Sequence, residues 1–118
     1  MVFSIIRLFP VPKHRAEVIE LLRSVQDLTR PAPGCLGCWL SEEELTGSHI
    51  RYAEQWESEE DLYEHIRSDL YRRLLEAMEL CRQKPDVGFY YCSETKGLEL
   101  VEAVRHNTDA PQAASEPN

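Results

Sequence analysis

Two residues near the middle of the chain could carry chemistry. Trp56 lies at the end of a stretch in which polar and apolar residues alternate, as in a half-buried strand. His65 lies on the next stretch, whose apolar residues recur with the period of a helix. A bulky aromatic at a strand end and an imidazole on a helix face can line one pocket. Because an unperturbed imidazole changes charge near neutral pH, such a pocket could move protons.

The elements that must position this pair alternate between strand and helix patterns. The first strand, residues 2–9, is apolar on both faces and ends at Pro10. An amphipathic helix follows from Pro12, where a missing N–H costs nothing, and the Pro- and Gly-containing residues 31–34 stop it. The other predicted strands are residues 35–42, 49–57, 87–93 and, with imperfect alternation, 98–105.

The helix that carries His65 has a clear start signal. Ser58 is a good N-cap, and Asp61 completes a capping-box pattern. Leu62 and His65 then fall on the inward face of a short helix. Ser68 can restart the helix as a second segment, which ends before Pro85.

The order strand, helix, strand, strand, helix, strand predicts an α+β, ferredoxin-like split β-α-β fold with a four-stranded antiparallel sheet. Both helices would cover one sheet face, although three strands carry large apolar groups on both faces. Burying a Leu-sized side chain contributes roughly 1.5–3 kcal/mol, so a homodimer is the simplest cover for the second face. The extra C-terminal strand is predicted to pair with the partner's sheet. The domain would span residues 1–105, and residues 106–118 would form a disordered tail.

The composition narrows the class of protein. The chain has 118 residues, 42% hydrophobic and 29% charged, as expected for one soluble globular domain. A formal net charge of -8 without a basic cluster argues against nucleic acid and anionic membrane as partners. No apolar run approaches the ~20 residues of a membrane span, and no signal peptide is recognisable. A cytoplasmic location is therefore expected.

The cysteines are predicted to be reduced thiols. Cys35 and Cys38 form a C-x-x-C pair, but no second pair of ligands stands at the spacing of a structural zinc site. Positions three apart on a strand point to opposite faces, which argues against a shared metal and against a disulfide. We therefore predict no metal and no cofactor. A redox-sensing role for the pair is the alternative.

The sequence resembles the antibiotic biosynthesis monooxygenase family over about residues 1–100. The resemblance rests on Pro-Gly-Cys-Leu at 33–36, after the first helix, and on Glu-x-Trp-x-Ser-x-Glu at 54–60, at the strand-to-helix junction. It continues with His65, three residues before Ser68. Members of this family are dimeric α/β barrels, so the resemblance implies the same assembly for this chain.

The resemblance also implies an activity. In family oxygenases an electron-rich phenol or quinol loses a proton, and its anion reacts with O₂ without metal or flavin. Trp56 matches the family's pocket tryptophan, and His65 matches a histidine often found on the following helix. We therefore predict His65 as the catalytic acid and base and Trp56 as a pocket residue. Further polar candidates for the pocket are Tyr52, Tyr63, Tyr71 and Arg72.

Two departures from the family bear on function. The haem-degrading branch has an asparagine on the first strand and a histidine in the second helical segment, whereas here the strand has no asparagine and Leu75 stands about where the histidine would fall. Some aromatic oxygenases carry an asparagine where this chain has Tyr52. The expected function is a monooxygenase of a small hydroxylated aromatic or quinol. The alternatives are a non-catalytic dimeric ligand-binding or stress-response module and, least favoured, haem binding or degradation.

Overall fold

The computed structural model describes residues 1–43 and 49–106. Its strands are β1 (Val2–Leu8), β2 (Cys35–Glu43), β3 (His49–Trp56) and β4 (Asp86–Tyr91). Its helices are α1 (Arg15–Thr29), α2 (Glu59–Arg67), α3 (Tyr71–Glu79) and α4 (Leu98–His106). A 3-10 turn at Pro12–His14 leads into α1, and α2 and α3 are the two segments expected of the second helical region.

The four strands form one antiparallel sheet in the order β2-β3-β1-β4. This order, with the helices between the strands, confirms the predicted ferredoxin-like α+β fold. β1 is central and pairs Val2 with Trp56 of β3 on one side and with Tyr91 of β4 on the other. The predicted β2–β3 hairpin is confirmed in its pairing. Its predicted turn at Thr46 and Gly47 lies outside the described residues.

The core lies between the sheet and the helices. β3 alternates strictly between buried and partly buried residues, as the sequence pattern predicts. Ile6 of β1 and Ile50 of β3 are fully buried in one cluster with Leu22 of α1 and Leu74 of α3. Each such side chain contributes roughly 1.5–3 kcal/mol on burial, so this layer holds β3 and the helices in register.

The other face of the sheet keeps large apolar side chains in contact with solvent. Trp39 of β2 is 49% exposed and Tyr90 of β4 is 55% exposed. Phe3, Ile5 and Ala53 lie between them on paired strands and are partly buried. We call these five residues the outer face. It is the surface for which the sequence predicts a second subunit.

The C-terminal segment is a helix, so the predicted fifth strand is wrong. The apolar residues Leu98, Val101 and Val104 recur three residues apart, which fits a helix better than a strand. Leu, Glu, Ala and Arg, which make up much of the segment, are good helix formers. At its start the Glu99 carboxylate accepts the N–H of Gly97 at 2.9 Å. No residue of α4 is buried.

The last residue of α4 is His106, which the sequence pattern places in the tail. The rest of the predicted tail, residues 107–118, lies outside the described residues. Within the part of the chain that the structure describes, no helix combines the length and the apolar character that a membrane crossing requires.

Candidate functional site

The N-terminus of α2 sets the position of His65. The Ser58 hydroxyl accepts the backbone N–H of Asp61 at 3.1 Å and donates to the Asp61 carboxylate at 2.9 Å, which confirms the predicted cap. From this start the helical period places Leu62 and His65 on the buried face. The helix ends where the Ser68 hydroxyl donates to the carbonyl of His65 at 2.6 Å.

β3 presents polar groups to the buried side of α2. Tyr52, Glu54 and Trp56 alternate onto the face of the sheet that the helices cover, and each is at most 1% exposed. A glutamate at such a position is unusual, because a carboxylate is almost never fully buried unless it is paired. Its partners therefore define the site.

Among the described residues, the side chain of Glu54 has three hydrogen-bond partners. Its Oε2 accepts the Tyr52 hydroxyl at 2.7 Å and lies 2.9 Å from Nε2 of His65, and its Oε1 accepts the indole N–H of Trp56 at 2.9 Å. The thiol of Cys38 extends the arrangement by donating to the Tyr52 oxygen at 3.2 Å. We call these five residues the Glu54 network. It joins β2, β3 and α2 in the interior.

Two aromatic rings hold the imidazole of His65. The Trp56 ring lies 4.8 Å from it between centroids at an interplanar angle of 35°, and the Tyr71 ring meets it edge-on at 5.3 Å. His65 is only 6% exposed. Among the residues that the structure describes, Glu54 is the one hydrogen-bond partner of the imidazole, and it is bound through Nε2. The second nitrogen, Nδ1, therefore has no partner within the described part of the chain.

A cavity of ≈ 400 Å³ lies beside this imidazole. Its apolar walls come from the segment before β2, the end of β3 and the junction of α2 and α3, and its polar wall includes His65 and Ser68. This volume is within the range of small-molecule sites and is large enough for a small aromatic compound. The apolar lining residues are Ala32, Pro33, Trp56 and Leu70.

The charged side chains that line the cavity are both acidic. They are Asp61 and Glu64 of α2, and among the described residues no Lys or Arg lines the cavity. Arg67 pairs with Glu64 at 3.1 Å on the exposed side of the helix. The charges at the cavity thus favour neutral or cationic molecules over anionic ones.

Burial keeps the hydroxyl and thiol groups near His65 protonated. Burial, and then the charge of Glu54, raises the pKa of Tyr52 far above its ordinary value and raises the pKa of Tyr71 to about 12. Burial also raises the pKa of Cys38 to about 12. At neutral pH these hydroxyl and thiol groups are therefore hydrogen-bond donors and not bases.

His65, Trp56, Tyr52 and Tyr71, all predicted for the pocket, lie close together in the structure, but two of the four do not line the cavity. His65 and Trp56 line the cavity. Tyr52 lies behind them and reaches His65 through Glu54, and Tyr71 packs against the imidazole without lining the cavity.

Tyr63 and Arg72 lie away from the cavity, so their positions do not support the predicted pocket role. Tyr63 is 41% exposed, and its hydroxyl donates to Glu59 at 2.7 Å. The side chain of Arg72 is 78% exposed and faces Asp69 at 3.8 Å. Each residue follows a buried one by a single position, and one step along a helix rotates the side chain by about 100°.

Glu54 belongs to the site but is not among the residues predicted from the sequence. It stands between Tyr52 and Trp56 on the buried alternation of β3, and it belongs to the motif at 54–60. An acidic residue on an otherwise apolar inward face is the signal that could have identified it.

Cys35 and Cys38 do not point to opposite faces as predicted. A β-bulge between Cys35 and Gly37 shifts the register, so Cys35 pairs with Trp56 and Cys38 pairs with Glu54, both on the covered face of the sheet. Both thiols are free, and burial raises the pKa of each. Among the described residues, no three His, Cys, Asp or Glu side chains are grouped to hold a metal ion.

Comparison with protein families identifies the family of this chain. The model described as antibiotic biosynthesis monooxygenase matches residues 1–77, from β1 through most of α3. This span includes every member of the Glu54 network and all of the cavity lining. No curated protein matches the chain significantly.

Solved structures share the fold. A Mycobacterium tuberculosis protein is 26% identical, with a TM-score of 0.74, and the match covers 81% of this chain and 98% of that one. A Deinococcus radiodurans protein, described as a candidate antibiotic biosynthesis monooxygenase, is 22% identical with a TM-score of 0.74, and the match covers 82% of this chain and 97% of that one. A Caulobacter crescentus protein with the same description is 19% identical with a TM-score of 0.70, and the match covers 79% of this chain and 90% of that one. At such identities the last two matches establish the fold alone.

Proposed function

Because the chain belongs to the antibiotic biosynthesis monooxygenase family, we propose that it is a cofactor-independent monooxygenase of a small hydroxylated aromatic or quinol. One observation carries the proposal. The apolar cavity of ≈ 400 Å³ is lined by a buried imidazole whose Nδ1 has no partner among the described residues. Apolar walls suit an aromatic ring, and an imidazole at the wall can take the proton of a hydroxyl group.

The reaction would begin with proton transfer. His65 takes the proton of a bound phenol, and the resulting phenolate is electron-rich enough to reduce O₂. One oxygen atom enters the ring at a carbon that gives up its hydrogen, and the other leaves as water. A phenol and O₂ thus give a quinone and water, and the four electrons that O₂ accepts come from the substrate.

Trp56 would form part of the cavity wall and would not act as a hydrogen-bond donor to the substrate. Its single N–H donates to Glu54, so it has no hydrogen left for a substrate oxygen. The indole forms part of the cavity wall and packs on the His65 ring. In this role Trp56 keeps the substrate ring against the imidazole and excludes water.

Oxygen uptake with a panel of hydroquinones and naphthols, without added metal or flavin, tests the proposal. We expect His65→Gln to lower kcat/KM by about 10²- to 10⁴-fold, the usual contribution of a general base. Glutamine keeps a hydrogen-bond donor toward Glu54, so the variant removes the base with little loss of packing. His14→Gln, the same exchange at an exposed turn, is the control and should match the wild type. Equal uptake by wild type and His65→Gln would contradict the proposal.

A non-catalytic ligand-binding module is the second candidate, and a specific observation favours it. An oxygenase needs hydrogen-bond donors for the developing oxyanion. Among the described residues that line the cavity, Trp56 and Ser68 already donate their hydrogens to other groups, and the charged residues are acidic. His65, once its Nδ1 has taken up the substrate's proton, is then the remaining side-chain donor.

Tryptophan fluorescence separates the two candidates. A module that only binds would show saturable quenching by the aromatic compounds without oxygen uptake. The quenching should disappear in Trp56→Phe and persist in Trp39→Phe, because Trp39 lies on the outer face. Haem binding has less support, because Leu75 is 48% exposed on α3 and Nε2 of His65 is bonded to Glu54. We expect no Soret shift when haem is titrated.

We also propose that the chain is a homodimer that packs through the outer face. Trp39 and Tyr90 remain about half exposed in the single chain, with Phe3 and Ile5 between them. A second copy would remove this apolar surface from water at roughly 25 cal/mol per Å². The predicted pairing of a fifth strand with the partner's sheet is not part of this proposal, because the segment is the helix α4.

A further inference from the structure

We propose that Glu54 is a positioning residue that fixes the tautomer of His65, so that Nδ1 is the basic nitrogen presented to the cavity. This role rests on the proposed function, because it names the atom that would take the substrate's proton. Glu54 itself does not line the cavity and is 1% exposed. It can therefore act on a substrate only through His65.

The partners of Glu54 other than His65 are hydrogen donors. The indole N–H of Trp56, 2.9 Å from Oε1, has no capacity to accept. The oxygen of Tyr52 accepts the thiol hydrogen of Cys38 at 3.2 Å, and the hydrogen of Tyr52 is donated to Oε2 at 2.7 Å. Burial favours the protonated form of both Cys38 and Tyr52. The bonds thus run in one direction, from Cys38 through Tyr52 to the carboxylate.

The carboxylate of Glu54 accepts from Trp56 at Oε1 and from Tyr52 at Oε2. Because an ionised carboxylate has no hydrogen to donate, it is an acceptor toward His65 as well. Nε2, which is 2.9 Å from Oε2, must then carry a hydrogen. A neutral imidazole carries a hydrogen on one nitrogen only, so Nδ1 keeps its lone pair. Because Nδ1 has no partner among the described residues, this lone pair is free for a hydroxyl group in the cavity.

The network also fixes the plane of the imidazole. Tyr52 and Trp56 hold the two carboxylate oxygens, and the Trp56 ring packs on the imidazole that the carboxylate binds. When Nδ1 takes up a proton, His65 becomes an imidazolium with the negative charge of Glu54 at 2.9 Å. In the buried site this attraction is stronger than it would be in water.

The ¹⁵N chemical shifts of the His65 ring in the wild-type protein test the proposal directly. We expect Nε2 to have the shift of a protonated nitrogen and Nδ1 that of an unprotonated one when the ring is neutral. The spectrum of His65→Gln assigns the signals. A neutral ring with its hydrogen on Nδ1 would overturn the proposal before any other variant is made.

Glu54→Gln then tests the cause. An amide has one oxygen and one NH₂ group, so it cannot accept from Trp56 and from His65 at the same time. We expect the hydrogen of the neutral ring to move toward Nδ1 and kcat to fall by about 10²- to 10⁴-fold, with a much smaller change in KM. Tyr52→Phe, which removes a donor but keeps the carboxylate, should keep the wild-type tautomer.

The outcomes separate this proposal from the proposed function. If the ring behaves as expected but no compound is oxidised, the positioning role stands and the oxygenase fails. If turnover needs His65 while Glu54→Gln keeps both the wild-type tautomer and kcat, the positioning role is overturned and the oxygenase stands. If Glu54→Gln does not fold, the tautomers of the wild type and of Tyr52→Phe decide.

Discussion

Glu54 places a carboxylate in the interior of this protein and joins β3 to α2 there. Glu54 lies where the alternation of β3 calls for an apolar residue, and the hydrogen bonds from Tyr52, Trp56 and His65 offset the cost of burying its charge. Removing one of these donors would leave part of that cost uncompensated. Glu54 therefore contributes to the chemistry of the site and also adds a cost of burial that its hydrogen bonds must offset.

The buried acids predict how stability depends on pH. Burial raises the pKa of Cys38 from its ordinary value of 9.0 to about 12, and it raises the pKa of Tyr71 from its ordinary value of 10.0 to about 12. Between these values the unfolded chain has released protons that the folded chain still binds. The free energy of unfolding should therefore decrease as the pH rises from about 9 to about 12, and lower pH should keep the full contribution.

Urea midpoints measured from about pH 8 to about pH 11 check this expectation. Tyr71→Phe should show a shallower decline than the wild type, since it removes one of the titrating groups. Tyr63→Phe, an equivalent change at an exposed position, is the matched control. Identical slopes for wild type and Tyr71→Phe would contradict the role of Tyr71.

Trp56 and His65 could be predicted from residue patterns, but the carboxylate of Glu54 that connects them could not. Trp56 and His65 follow from strand and helix periods and from the resemblance to the family. Glu54 required knowledge of which inward residues meet across β3 and α2, which is a tertiary contact. The same limit explains Tyr63 and Arg72, whose residue types suit a site but whose helical phase turns them outward.

The junction between β3 and α2 connects the site to the backbone around it. Gly34 has a φ of 82°, and its carbonyl accepts the N–H of Glu57 at 2.8 Å. The side chain of Asp61, bonded to the cap residue Ser58, packs directly on the α-carbon of Gly34. The loop that supplies Pro33 to the cavity wall is therefore held against the first turn of α2.

Gly34→Ala should destabilise the protein by about 1–3 kcal/mol. A β-carbon there would have an unfavourable positive φ and would collide with Asp61. Gly97→Ala is the matched control, because its β-carbon would meet only the end of the flexible Glu99 side chain. Urea unfolding gives the difference. Equal stability of the two variants would contradict the expected collision of the added β-carbon with Asp61.

Elements with long, regular patterns were predictable, and those with short patterns were not. The helical period of α1 and the alternation of β3 each extend over many residues. The structure confirms the helix and the strand that these patterns predict. Residues 98–105 have an imperfect alternation that suggests a strand, although the spacing of three residues fits a helix better, and α4 has no buried contact that the sequence could reveal. The bulge at Cys35 is a local change of register that an ideal strand period cannot anticipate.

The whole molecule has one covered and one uncovered sheet face. The order of the elements follows from the sequence because hydrophobic periods and turn signals agree along the chain. The cover of the outer face depends on another molecule, and its identity as a second copy remains a prediction.

Trp39→Glu should convert the proposed dimer to a monomer. A carboxylate at the centre of β2 would be desolvated without a partner in an apolar contact between sheets. Sedimentation at micromolar concentration measures the result. Leu28→Glu, at a position 53% exposed on α1, is the control and should leave the assembly unchanged. A wild-type protein that sediments as a monomer would remove the dimer proposal.

The shared acceptor at Glu54 has a consequence for how this protein can evolve. Tyr52, Trp56 and His65 each donate to the same pair of oxygens, so an exchange at one position alters the value of the residues at the other two. Mutational effects within this group should be epistatic, with double variants costing less than the sum of single ones. In related chains that lack the acid, natural selection should have changed the donors as a set rather than one by one.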